Sequence, residues 1–168
     1  MRGLIACLSG GIYSITAAIM VRQLGFHICT GMFIHTGSSD DEEDAIFARD
    51  QATYLSVPLF EVTISGEVSK ALSPLTVLCL ALQLPVMHTI TGMTIGWHLK
   101  YSFDNEDIDL EYDRNAILQQ KFSIVLAMVN KGPCNVHAPL LGFSQTRIAA
   151  KAQVLKLATL YRKVEHVA

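Results

Sequence analysis

Ser9, Gly10 and Gly11 stand together, and Ser14 follows five residues after the first serine. Two hydroxyls and two adjacent glycines at this spacing suit the holding of phosphate. Glycine lets backbone N–H groups approach an anion with no Cβ in the way. A helix beginning near Tyr13 would add unpaired N–H groups and the positive end of its dipole. Ser9 and Ser14 would add hydroxyl donors. A tight turn calls for the same residues, so the triplet alone does not decide. Tyr13 occupies a position where a nucleotide loop more naturally carries a small or acidic residue, and it would bring a bulky ring to the phosphate mouth.

Other residues fall where a ligand of that loop would need them. Ile34, His35, Thr36 and Gly37 follow an apolar run, and Gly92 and Gly96 bracket a second one. Small residues there leave room for a ring or a ribose, or simply let the chain reverse. His35, His88, His98 and His137 fit no helix-face ligand pair and sit on different elements, so no metal site is expected. The acidic stretch 103–113 reads as a solvated loop. Trp97 and Tyr101 serve equally as packing residues or as a base-stacking pair. Cys7, Cys29, Cys79 and Cys134 form no C-x-x-C pair, and the first three, in apolar runs, read as reduced packing residues.

These residues need a scaffold, and the hydrophobic pattern supplies one. Apolar runs at 3–8, 27–35, 58–65, 85–92 and 134–140 read as strands. Gly92 would end the fourth. Helical patterns at 13–25, 40–56, 73–84 and 113–132 alternate with them, and Ser144 caps a last helix running to about residue 164. On the second helix, Ala45, Ala48, Ala52 and Leu55 share a face; on the last, Ile148, Ala152, Leu155 and Thr159 do. Strand-helix alternation predicts one domain over 1–168, a doubly wound, mostly five-stranded parallel sheet of Rossmann-like type. Ligands of such sheets bind beyond the carboxyl ends of the strands, where strand order reverses.

Composition sets the outer bounds. Hydrophobic residues make up 51% of the 168 and charged residues 17%, below the usual quarter. A homo-oligomer or protein partner would explain the shortfall, and so would a well-buried α/β core. The net charge of −2 gives no reason to expect nucleic-acid binding. The acids from Asp40 to Asp44 read as a solvated helix start. No signal peptide or membrane-spanning run is legible, and a reducing, cytoplasmic location fits the cysteine usage.

The opening loop resembles the S-G-G-x-D-S phosphate loop of the PP-loop ATP pyrophosphatases, which have the adenine nucleotide α-hydrolase-like fold. Within that superfamily the chain most resembles the 7-cyano-7-deazaguanine (PreQ0) synthase family. "ACLSGGIYSITAAIMVRQLGFHI" is similar to its opening strand, loop and helix, and "VHAPLLGFSQTRIAAKA" to a late strand-to-helix segment. "GMFIHTG", "LSPLTVLCLALQLP" and "EYDRNAI" resemble intervening segments. The resemblance implies a ligase of queuosine biosynthesis. Such an enzyme activates a deazaguanine carboxylate with ATP and Mg2+ as an acyl adenylate, and ammonia then gives amide and nitrile. It further implies that Ser9, Gly10, Gly11 and Ser14 hold phosphate, and that Ile34, His35 and Gly92 bound the adenosine site.

The departures point the other way. Tyr13 replaces the loop acid, the zinc-binding cysteine cluster of the family is missing, and Leu72-Ser73-Pro74 stand where the family has Arg-Asn. No zinc site is therefore expected. The expectation is a diverged PP-loop protein with reduced or no synthase activity. The alternative is a catalytically inactive paralogue acting as a structural or interaction subunit.

Overall fold

The computed structural model describes residues 3–64, 90–96, 120–121, 123–124, 128 and 135–162. Strand β1 (Gly3–Cys7) leads into helix α1 (Ile12–Gln23), and β2 (Ile28–His35) into α2 (Asp41–Leu55). Strands β3 (Leu59–Thr63), β4 (Ile90–Thr94) and β5 (Asn135–His137) follow, with helix α3 (Gln145–Val154) after them. The strands form one sheet in the order β3-β2-β1-β4-β5, and all described pairings are parallel. With its flanking helices this is a doubly wound, Rossmann-like α/β fold. Strand order reverses between β1 and β4, which places the topological switch point at the loop after Cys7.

The strands are apolar on both sides because both sides are covered. Ile5, Met32, Met93, Ile95 and Val136 form a core on one face. On the other, Ala6, Leu8 and Phe33 meet Ile15 and Ala18 of α1, the alanine stripe of α2 and Ala152 of α3. Ala45, Ala48 and Ala52 are at most 3% exposed, so α2 lies close to the sheet. Small side chains permit that approach, and it brings the acidic start of α2 against the loop after β1.

These three helices end in the same way. The N–H two residues past the cap reaches back to the third carbonyl from the end, and the N–H before it to the second. The pairs are Phe26–Val21 and Gly25–Arg22, Val57–Ala52 and Ser56–Thr53, and Leu157–Ala152 and Lys156–Gln153. Each terminator needs one residue at positive φ. Gly25 supplies it freely, while Ser56 (φ 55°) and Lys156 (φ 57°) adopt it at a cost of about 1 kcal/mol each.

Three boundaries differ from the sequence expectation. The last helix stops at Val154 rather than near residue 164, because the turn at Lys156 buries Leu157 completely against Ala152. Thr159 thus leaves the helix face predicted for it, although Ile148 and Ala152 are buried there. Gly92 lies inside β4 instead of ending it, since β4 continues to Thr94. A Cβ at Gly92 would stand 2.2 Å from the Asn135 carbonyl oxygen, so this glycine is dictated by the approach of β5. The β5 strand is short because turns take over at Pro139. Ser144 caps α3 as expected, its hydroxyl accepting from the Arg147 N–H at 3.1 Å. The patterns at 73–84 and most of 85–92 and 113–132 lie outside the described residues.

Candidate nucleotide cleft

At the carboxyl end of β1 the chain turns through Ser9, Gly10 and Gly11 into α1. Gly10 has φ +72°, and a Cβ there would stand 2.3 Å from the Asp44 carbonyl oxygen. Only glycine can take both the conformation and the close approach. Gly11 is the N-cap of α1 and offers no side-chain cap to its first turn. Beside this loop a cleft of about 290 Å³ opens between the ends of β1 and β2 and the start of α2. Leu8, Ser9, Ile34 and Thr36 line it on the sheet side, with Asp40 and Asp44 opposite.

Ser9 is exposed, whereas Ser14 is 4% exposed and turned into the structure. The Ser14 hydroxyl accepts from the Ser9 N–H and hydroxyl, each at 3.2 Å, and contacts the Gly11 carbonyl and Gln51 Oε1. Gln51, on α2 and fully buried, donates from Nε2 to the carbonyls of Gly11 (3.1 Å) and Leu160 (2.8 Å). The loop is therefore held from beneath by Ser14 and Gln51, and Ser9 is the hydroxyl presented to the cleft.

The ends of β2 split their roles by parity. The Leu8 N–H donates to the Met32 carbonyl at 2.9 Å, just past the last β1–β2 register pair. Two residues on, the Ile34 N–H and C=O face the same way, past the end of β1 and towards the cleft. This donor-acceptor pair matches the edge of a purine amide or amidine. His35 faces elsewhere. Its carbonyl accepts from the Ile64 N–H, and its Nε2 donates to Glu61 at 3.0 Å. Arg49 grips the same carboxylate with two bonds of 2.7 and 2.6 Å, which with His35 holds the Glu61 carboxyl down at about 2. His35 is thus a member of a surface ion-pair network joining β2, β3 and α2.

Tyr13 does not fill the cleft. Its ring packs with Ile12, Met20 and Phe143 on the cluster of Ala17, Leu140 and Ile148, and burial raises its phenol above the ordinary value. Gly96 seats this end of α1 closely: a Cβ there would lie 2.8 Å from the Ser14 nitrogen. Gly92, well inside β4, takes part in β5 packing rather than in the cleft. Trp97, Tyr101, His88, His98 and the stretch 103–113 lie outside the described residues.

The acidic wall is already engaged. Asp41 accepts from the Thr36 and Gly37 N–H groups at 2.5 and 2.7 Å. Asp40 and Asp44 face Arg162, which arrives from the far end of the chain. Burial raises the Asp44 carboxyl above its ordinary value, against the pull of Arg162. Among the described residues no group of three or more His, Cys, Asp or Glu is arranged to hold a metal ion.

Gln51 and Arg162 carry no local signal in the sequence. Their partners lie between 37 and 152 positions away, and only the fold brings them to the loop.

No known family model matches the chain, and no curated protein matches it. No helix among the described residues is long and apolar enough to cross a membrane.

Proposed function

We propose that this chain is an adenine-nucleotide-binding α/β domain of the PP-loop type, diverged from the 7-cyano-7-deazaguanine synthase pattern. One observation carries this. Ser9, which opens the Gly10-Gly11 turn, and Ile34 line one cleft beyond the carboxyl ends of β1 and β2, beside the switch point of a parallel sheet. The base would lie against Leu8 and pair with the Ile34 N–H and C=O. The phosphates would meet Ser9 and the amino end of α1.

The reaction such a site would serve is acyl adenylation. A deazaguanine carboxylate oxygen attacks the α-phosphorus, pyrophosphate leaves, and ammonia then displaces AMP from the acyl carbon. Tyr13, a phenol, supplies no carboxylate to this step, and its ring packs against the Ala17, Leu140 and Ile148 cluster. That same observation favours the second reading, a non-catalytic nucleotide-binding subunit of a larger assembly. Exposed Leu24, Met128 and Val154 would suit a homo-oligomer or a protein partner.

Calorimetric titration with ATP, with and without Mg2+, tests the binding claim. Saturable binding supports it, and no heat at millimolar ATP would overturn it. Pyrophosphate release from ATP in the presence of a deazaguanine carboxylate separates the two readings: release marks a ligase, binding without release a non-catalytic subunit.

A further inference from the structure

After α3 the chain does not leave the molecule. The turn at Lys156 sends residues 157–162 back across the phosphate loop. Leu157 is fully buried, and Leu160 and Tyr161 pack on the main core. The Leu160 carbonyl is held by Gln51, and the Arg162 N–H donates to the Gly10 carbonyl at 3.1 Å. This strap brings one guanidinium, from just outside the cleft lining, to Asp40 and Asp44, two of the carboxylates that line it.

The wall is where a phosphate ligand meets its main obstacle. Asp40, Asp41 and Asp44 all line the cleft, and Glu43 stands beside them. Repulsion from such a set opposes a polyanion. Arg162 stands 3.4 Å from Asp40, 3.3 Å from Glu43 and 3.6 Å from Asp44, with its side chain 30% exposed. None of these is the short, two-pronged pairing that Arg49 makes with Glu61 at 2.6–2.7 Å. A guanidinium shared loosely among three carboxylates keeps donors for a fourth anion. Its backbone N–H is held by the Gly10 carbonyl, which fixes the base of the side chain next to the Ser9–Gly11 loop.

Resting on the nucleotide reading above, we infer that Arg162 is the specificity-determining residue of the cleft. It offsets the acidic wall and donates to the phosphates, so that the site takes a nucleoside phosphate in preference to the bare nucleoside.

Two ligands separate this role from a structural one. MgATP and adenosine are titrated into the wild type, Arg162→Gln and Arg162→Lys at low salt. Arg162→Gln keeps the backbone N–H that holds Gly10. It should weaken MgATP about tenfold and leave adenosine unchanged, with Arg162→Lys in between. Asp40→Asn, which removes wall charge, should strengthen MgATP. Equal losses for both ligands in Arg162→Gln would make the strap merely structural and overturn the inference. So would an unchanged MgATP affinity, or a wild type that binds adenosine as well as MgATP. A wild type that binds neither ligand contradicts the nucleotide reading itself, a result distinct from these.

Discussion

The Gln51 side-chain amide lies 3.1 Å from the Gly11 carbonyl and 2.8 Å from that of Leu160. One buried side chain thus ties the Ser9–Gly11 loop, the second helix and the returning 157–162 strap together. Replacing it should loosen all three. Gln51→Ala removes the donor to the Leu160 carbonyl and one of two donors to that of Gly11, and leaves a void where a fully buried side chain stood. The expected cost is about 2–4 kcal/mol in urea denaturation.

Gly10 and Gly25 both have positive φ but differ in surroundings. A Cβ at Gly25 meets nothing within 4 Å, whereas one at Gly10 meets the backbone of Asp44 at 2.3 Å. Gly25→Ala should therefore cost about 1 kcal/mol, the conformational term alone. Gly10→Ala should cost about 3 kcal/mol or more, since α2 must shift as well. Thermal melts of the two variants compare them directly.

Tyr13 separates stability from binding. Its ring packs on Ala17, Leu140 and Ile148, away from the cleft lining. Tyr13→Ala should lower the melting temperature through a loss of about 2 kcal/mol and leave MgATP affinity within twofold. A large loss of affinity at unchanged stability would place the phenol in the site. Tyr13→Asp should destabilise in the same way and leave MgATP affinity no tighter than in the wild type.

Glu61 links stability to acid pH. Arg49, and then His35, hold its carboxyl at about 2, below the ordinary 4.5. A depressed folded value means that its contribution is complete above about pH 4.5 and fades as pH falls towards 2. The stability gap between the wild type and Glu61→Gln should thus be constant near neutrality and close through that window. Because the pair is partly solvated, added salt should shrink the gap at neutral pH as well.

Local and regular features were readable in the chain. The alanine stripe of α2 announced its close packing, Gly25 its helix stop, and Ser144 its cap. The alternation of strands and helices gave the sheet and put the Ser9 loop on its first crossover. Lys156 was not readable, because nothing marks a lysine as taking positive φ until Leu157 finds its place in the core. Gly92 looked like a strand end, but its reason is a neighbouring backbone that only the sheet order brings near. The family resemblance sets His35 beside Ile34 at an adenosine site. Strand parity instead gives the cleft to the Ile34 peptide and points His35 towards Glu61. Gln51 and Arg162 were invisible because a contact between distant positions leaves no mark on spacing.

The central claim is that the cleft between Ser9 and Ile34 binds an adenine nucleotide. Amide-resolved NMR during a MgATP titration tests it most directly. Saturable shifts concentrated at Ser9–Ile12, Ile34 and Thr36, with the amides around Arg49 and Glu61 unmoved, are the predicted result. No shifts at millimolar MgATP, or shifts that cluster away from the β1 and β2 ends, would contradict it.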